Sequence, residues 1–318
     1  MSDTRIVAVL SGSFAKTSRQ PVEHLEANGF AVDFRPSADP GNEEKVAELI
    51  GDAPAAIVTA QDRIGEIVFE RCRNLRVVAI HGVGCDAADI AGAAKHGIMV
   101  RTCPGNHESV ADLTWLLILA ASRNLLHASA AVRAGEWQPS AHVGVEVLGK
   151  TIGIVGFGRI GRAVARRAVG FENKVLVYDP FVSELEPVDG LHMRTASFEE
   201  LLTESDIVTL HLPLMDDTRQ MMDADAIGKM KDSAIFVNTA RGGLVDEAAL
   251  RQALDSGKIR MAGLDTFAAE PPADSPLPGM EQVIPTPHMG AQTVDANVRT
   301  GMLAAEMVVE KLRSSNRT

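Results

Sequence analysis

Cysteine is scarce in this chain. Only Cys72, Cys85 and Cys103 occur, an odd number at wide spacing, with no C-x-x-C pair and no histidine at metal-ligand spacing. That argues against a disulfide framework or a thiolate metal site, so no metal is expected and the thiols should be reduced and buried. Positive charge is also short. Against 42 Asp and Glu stand 31 Lys and Arg, a net charge of −11, which opposes attraction to nucleic-acid phosphates or anionic lipid. Nor is there a long apolar run. The most apolar stretch, Leu113 to Ala121, is bracketed by Asp112 and Arg123 and is about half of the roughly 20 residues that a membrane span needs. The N-terminus, Ser2 to Arg5 followed by the short apolar Ile6 to Leu10, lacks the regions of a secretory signal. These deficits point to a cytoplasmic protein that meets small molecules and copies of itself, with no nucleic acid and no membrane as partner.

What is present is a strict alternation of short Val/Ile/Ala-rich runs with helical patterns. Ile6–Leu10, Ala31–Phe34, Ala55–Thr59, Arg76–Ile80 and Ile98–Thr102 read as strands. A long helix capped by Asn106 should follow and continue through Trp115 to about Val132, before Gly135, Pro139 and Gly144 mark an irregular stretch. A second series starts at Thr151–Val155 and continues with Lys174–Tyr178, a weak strand near Met193, Ile207–Leu210, Ala234–Asn238, Met261–Asp265 and Val283–Ile284. Ser197 and Glu200 form a capping-box pattern, and Asp246-Glu247 opens a helix that should stop at Gly257. Alternation of this kind means parallel sheets with crossover helices, and 318 residues suit two domains. The fold class is therefore α/β, with two doubly wound parallel-sheet domains. A final amphipathic helix, from about Thr293 to Arg313, follows Pro285 and Pro287 and is placed to return to the first domain.

The second series opens on the strongest motif in the chain. The apolar run Thr151–Val155 leads straight into Gly156-Phe157-Gly158-Arg159-Ile160-Gly161 and then into a helical pattern. Gly156 permits a tight turn, Gly158 lets the backbone approach a pyrophosphate, and Gly161 lets helix and strand pack closely. The helix start near Arg159 offers free N–H groups to an anion. Asp179 ends the next strand, eighteen residues past Gly161, where an acceptor for a ribose 2′-hydroxyl should stand.

Ligands of such sheets bind beyond the carboxyl ends of the strands. In the second half His211, Arg241, Asp265 and His288 each stand just past or at a strand end, and Glu270 lies a few residues beyond Asp265. Beside a nicotinamide these groups would make a proton-and-hydride site: a histidine to exchange the proton, a carboxylate to hold it and an arginine to clamp an anionic substrate.

The motifs His81-Gly82-Val83-Gly84-Cys85-Asp86, Cys103-Pro104-Gly105-Asn106 with Ser109 to Thr114, His211-Leu212-Pro213-Leu214, Asn238 to Asp246, Leu264 to Phe267 with Glu270-Pro271, and Pro285-Thr286-Pro287-His288 resemble those of the D-isomer-specific 2-hydroxyacid dehydrogenases over nearly the whole chain. The resemblance implies a Rossmann NAD-binding domain, 103–287, inserted in a flavodoxin-like substrate-binding domain made of 1–102 and 288–318. It implies that Arg241 binds the substrate's carboxylate and carbonyl, that His288 is the acid/base and that Glu270 is its partner. Val83 and Gly84 match the loop that holds the substrate carboxylate, with His81 beside them. Contacts to NAD are implied for Gly156, Gly158, Arg159, Ile160, Gly161, Asp179, His211, Leu212, Pro213, Thr239, Ala240, Arg241, Asp265, His288 and Gly290. The family further implies a homodimer. Trp137 lies in a connection that often reaches the neighbouring subunit, but plain packing is the expectation for it.

The expected reaction is NAD-dependent interconversion of a small 2-keto acid and its D-2-hydroxy acid. Asp112 replaces the family's usual Glu, Leu212 replaces a common Thr, and Thr59 occupies a place where phosphoglycerate-type members carry Arg. Compact substrates such as glyoxylate, hydroxypyruvate or pyruvate are therefore favoured over phosphorylated ones, unless Arg63 in the same loop or a cation from the partner subunit takes that role. A formate-dehydrogenase-like member would pair its histidine with Gln, and Glu270 speaks against it. The alternative from another class is an NAD(H)-sensing binding protein of corepressor type, without significant turnover.

Overall fold

The computed structural model describes residues 5–314. Two compact units emerge, one formed by the chain up to Ser109 together with Ala291 onward, the other by Val110–Gly290. Both changeovers fall a few residues later than the sequence suggests.

The first unit contains β1 (Arg5–Val9), α1 (Gln20–Ala27), β2 (Phe30–Phe34), α2 (Glu43–Ile50), β3 (Ala55–Val58), α3 (Glu66–Arg71), β4 (Val77–Ile80), α4 (Ile90–Lys95) and β5 (Met99–Thr102). Its five strands are all parallel, in the order β2-β1-β3-β4-β5, the flavodoxin-like arrangement. The central β3 and β4 are unbroken apolar runs because successive side chains point to opposite faces and both faces are covered. Ala8, Ala56, Val58, Val78 and Ile80 pack against Val46 and Ile50 of α2 and Val68 of α3. Val7, Val9, Ile57, Val77 and Ala79 pack on the other face against Val22 and Leu25 of α1 and Ala304 and Val308 of the last helix. Asn42 and Asp89 cap α2 and α4 by accepting from Lys45 N and Gly92 N.

The second unit carries β6 (Thr151–Val155), α7 (Arg159–Ala168), β7 (Lys174–Tyr178), β8 (His192–Thr195), α8 (Phe198–Glu204), β9 (Ile207–Leu210), α9 (Ala224–Lys229), β10 (Ala234–Asn238), α10 (Glu247–Asp255), β11 (Ile259–Leu264) and β12 (Val283–Pro285), preceded by α5 (His107–Ser122) and α6 (Leu125–Arg133). The final helix of the chain, α11 (Val294–Ser314), returns to the first unit, where it packs on α1 and β4. The seven strands run in the order β12-β11-β10-β9-β6-β7-β8, which is the doubly wound dinucleotide-binding order with one strand added at the edge. The order reverses between β6 and β9, the switch point at whose carboxyl ends sheets of this kind bind their ligands. The Ser197 and Glu200 capping box closes as expected, and Asp246 caps α10 through Ala248 N and Ala249 N.

Two expectations fail. The long helix to Val132 is two helices, α5 and α6, bent by 66° at a break where Asn124 adopts a left-handed φ of 49°. Asn124 Nδ2 donates to Val143 O at 3.0 Å and ties the break to the following loop. Asn106 does precede α5, but its buried Oδ1 accepts no hydrogen bond, so it does not cap. Among the described residues no single helix is long and apolar enough to cross a membrane; α5 and α6 pass only when taken together across their bend. Cys72 and Cys103 are buried and free, whereas Cys85 is only half-buried.

If local backbone geometry makes the bend, Asn124→Ala and Asn124→Gly lose the same bond to Val143 but differ in their tolerance of positive φ. Asn124→Ala is expected to be the less stable by about 1 kcal/mol, read from urea unfolding midpoints; equal midpoints would place the cause of the bend elsewhere.

Candidate active site

The glycine motif sits at the topological switch point of the second unit. Gly156 takes a φ of 97°, and a Cβ there would stand 2.7 Å from the His211 carbonyl carbon at the end of β9. A Cβ on Gly161 would run into the Gly156 carbonyl oxygen. Gly158 differs: no atom lies within 4 Å of its hypothetical Cβ, so the backbone is open on that side. It stands as N-cap to the ten-residue α7, with Arg159 exposed and Ile160 half-buried behind it. An open backbone at a helix N-terminus fits a pyrophosphate. Asp179, past β7, accepts from Phe157 N through Oδ2 at 2.7 Å and from Phe181 N through Oδ1 at 2.9 Å. It thus braces the glycine loop, and each carboxylate oxygen keeps a further acceptor site for a ribose hydroxyl.

Beyond β9, the His211 ring is enclosed although the residue as a whole is partly exposed. Its Nε2 lies 3.1 Å from Thr209 Oγ1, and its Nδ1 has no partner. Burial pushes its pKa down to about 3. Leu212 is buried and Pro213 is exposed. Beyond β10, the Asn238 amide folds the next residues over, accepting from Ala240 N at 3.0 Å and donating to Arg241 O at 2.9 Å. Thr239 Oγ1 lies 2.9 Å from Thr114 Oγ1 of α5, and the half-buried Arg241 donates from Nη1 to Ala240 O at 2.8 Å. A Cβ on Gly242 would overlap the Phe267 carbonyl. Only glycine lets the Arg241 loop lie so close to the loop that carries Glu270.

Beyond β11 and β12 the geometry is tightest. His288 Nδ1 is 2.8 Å from Glu270 Oε2, with the histidine side chain 47% and the glutamate side chain 32% exposed. Glu270 Oε1 accepts from Phe267 N at 3.2 Å. His288 has a left-handed φ of 50°, a conformation that costs about 1–3 kcal/mol in a non-glycine residue. Asp265 holds it there. Its buried carboxylate accepts from Thr286 Oγ1 at 2.6 Å, Met289 N at 2.8 Å and Gly290 N at 2.8 Å, the donors that flank His288. This anchoring is invisible in the sequence, where Asp265 is one more acid at a strand end.

In the first unit, His81, Val83 and Gly84 follow β4. Within the described residues the Val83 and Gly84 N–H groups make no backbone hydrogen bond, which suits a carboxylate. His81 Nδ1 lies 3.3 Å from Ser11 Oγ and 3.1 Å from Ser13 Oγ, and its ring packs edge-on to Phe14. Burial holds its pKa down at about 4, opposed by a hydrogen bond with the Asn297 backbone. Among the described residues no cluster of His, Cys, Asp or Glu is arranged to hold a metal. Trp137, expected to pack, is 79% exposed.

The low pKa of His211 has a consequence for stability. An unfolded histidine titrates near pH 6.5, so below that pH the unfolded chain takes up a proton that the fold refuses. The stability present above pH 6.5 is therefore lost as pH falls toward 3, by about 2 kcal/mol between pH 6.5 and 5. His81 acts in the same direction. Urea midpoints at pH 7 and pH 5 should differ less in His211→Gln than in the parent; an unchanged difference would show that His211 is not kept neutral by the fold.

Comparison with known proteins agrees with this geometry. Residues 115–290 match the family model described as D-isomer specific 2-hydroxyacid dehydrogenase, NAD binding domain. The chain is 41% identical over 272 residues to a D-3-phosphoglycerate dehydrogenase of Methanocaldococcus jannaschii, covering 85% of this chain and 52% of that one. It is 38% identical over 273 residues to a hydroxypyruvate reductase of Thermotoga maritima, covering 85% and 88%. It therefore spans about half the length of the first of these relatives and most of the second. Among solved structures, the TT0316 protein of Thermus thermophilus superimposes with a TM-score of 0.87 at 33% identity, over 98% of this chain and 97% of that one. The cofactor is NAD, and the chain belongs to the D-isomer specific 2-hydroxyacid dehydrogenase family.

Proposed function

We propose that the protein interconverts a small 2-keto acid and its D-2-hydroxy acid. The observation that carries this reading is the 2.8 Å pair of His288 and Glu270 at the carboxyl edge of the nucleotide-binding sheet. Glu270 occupies Nδ1, so Nε2 is the nitrogen left to meet substrate. In reduction Nε2–H gives its proton to the carbonyl oxygen, and in oxidation the bare Nε2 takes the hydroxyl proton. On the second unit Arg241 is the residue for the substrate's carboxylate and carbonyl, and on the first unit the Val83 and Gly84 amides are the carboxylate-binding loop. Gly156, Gly158, Arg159, Ile160, Gly161, Asp179, His211, Leu212, Pro213, Thr239, Ala240, Asp265 and Gly290 would hold NAD, which when bound would supply or accept the hydride. The domain roles follow, with the second unit binding nucleotide and the first binding substrate. The corepressor-type alternative is not favoured, since the relatives are named as dehydrogenases and reductases.

We infer a cytoplasmic homodimer. Leu125, Leu126 and Val132 on α6 are about half exposed, Val143 is 68% exposed and Trp137 79%, and a second copy would cover such a run of apolar side chains. Substrates are compact. Thr59 is committed to Asp62, whose Oδ2 accepts from its N at 2.6 Å and its Oγ1 at 2.8 Å, and Arg63 lies 3.7 Å from Glu43.

NADH is expected to outperform NADPH in kcat/KM, because Asp179 would face a 2′-phosphate of like charge with only Pro180, Phe181 and Val182 beside it. Equal use of both would mean that Asp179 serves the loop alone. His288→Ala should lower kcat by about 10²- to 10⁴-fold at every pH with NADH binding retained. Glu270→Gln keeps the shape and loses the charge beside the imidazole, so kcat should fall with NADH binding retained. An unchanged kcat would make Glu270 a structural residue.

A further inference from the structure

Glu270 is carried by a loop that has no apolar anchor of its own. Between the buried Phe267 and Leu277 no residue is buried, so side-chain packing does not fix the carboxylate that meets His288. Its Oε1 accepts from Phe267 N at 3.2 Å, three residues back, a local bond that would travel with the loop. The tether comes from another element. Glu247, half-buried in the first turn of α10, accepts from Ala268 N through Oε1 at 2.7 Å and from Ser275 Oγ through Oε2 at 2.6 Å. Those two donors bracket Glu270. Both bonds are short and end on an ionised oxygen, the stronger class of hydrogen bond.

We propose that Glu247 is a positioning residue for the acid/base pair: its carboxylate clamps the loop 268–275 to the first turn of α10 and so sets Glu270 against His288 Nδ1. This rests on the roles proposed above for His288 and Glu270. The clamp reaches Glu270 from both sides. On one side Ala268 is two residues away, and the peptide before it lies against Gly242, where a Cβ would overlap the Phe267 carbonyl. On the other, the fixed φ angles of Pro271 and Pro272 and the bond from Ala273 N to Pro271 O at 2.9 Å stiffen the stretch that leads back from Ser275. Glu247 also stands six residues after Arg241, so one carboxylate ties the arginine's segment to the glutamate's loop. A glutamate in the first turn of a helix already gains from the helix dipole, but that gain needs no partner in a neighbouring loop, and Glu247 has two.

The test compares the parent with Glu247→Ala, Glu247→Gln, Ser275→Ala, Glu270→Ala and the double variant Glu247→Ala/Glu270→Ala. Each is melted, assayed with NADH on glyoxylate, pyruvate and hydroxypyruvate, and its His288 ring is followed by nitrogen-15 NMR. A displaced partner of the acid/base should lower kcat in Glu247→Ala by about 10- to 10²-fold, with KM for NADH little changed, and in Ser275→Ala in the same direction by less. Glu247→Gln should keep most of kcat, since its amide oxygen can accept from Ala268 N and its NH₂ can donate to Ser275 Oγ. Because Glu247 acts through Glu270, removing it should cost little more once Glu270→Ala is in place, whereas a merely structural glutamate would cost the same in both backgrounds. In folded Glu247→Ala the hydrogen of neutral His288 should move from Nδ1 toward Nε2, as in Glu270→Ala; if Glu247→Ala does not fold, Ser275→Ala, which leaves α10 intact, carries the same readouts. Additive losses, a Gln variant as impaired as the Ala variant, or a His288 hydrogen that stays on Nδ1 in the folded variants would overturn the assignment while the reaction stands. If the parent reduced none of the three acids, the proposed reaction would fall, and the NMR comparison would still decide the clamp.

Discussion

The buried carboxylate of Asp265 is the constraint on which the candidate site depends. A charge that is 1% exposed is tolerated only where donors surround it, and here Thr286, Met289 and Gly290 supply them. Hydrogen bonds to a charged group are worth about 1.5–3 kcal/mol each, so three of them outweigh the about 1–3 kcal/mol of strain in the left-handed backbone of His288. The Asp265 backbone is pinned in turn, its N–H donating to Asn238 O at the end of β10. One residue thus registers the β10, β11 and β12 loops against each other. The imidazole is thereby set against Glu270 without any help from its own exposed surroundings.

The rest of the second unit serves the same edge of the sheet. Parallel strands covered on both faces leave only their ends for polar chemistry, and the order reversal between β6 and β9 marks the switch point beside which the glycine loop folds. Glycine permits close approach at Gly161 under the loop and at Gly242 beside Phe267. The first consequence is an open backbone at Gly158; the second is that Arg241 and Glu270 sit on touching loops.

Much of this was legible before the structure. The alternation of apolar runs located every strand to within one or two residues, most cleanly the central ones that are buried on both faces, and the strand-end polar residues followed from the topology. What escaped the sequence had physical reasons. The apolar, alanine-rich pattern continues through Arg123 and Asn124, so nothing periodic marks the bend, which is a single backbone conformation. Asn106 looks like a cap by position, but its Oδ1 is buried without a partner beside Thr300, almost two hundred residues away in the chain. The anchoring by Asp265 comes from donors at 286–290, beyond the next strand. Local pattern carries no trace of partners so distant.

The central claim is that Glu270 holds the Nδ1–H of His288 and leaves Nε2 to exchange protons with substrate. Nitrogen-15 NMR of histidine-labelled protein, with the His288 signals identified by their loss in His288→Ala, reports which ring nitrogen carries hydrogen. The account predicts that in neutral His288 the hydrogen resides on Nδ1 and Nε2 is bare, with Nε2 the site that gains a proton as pH falls. A neutral form with its hydrogen on Nε2 would contradict it.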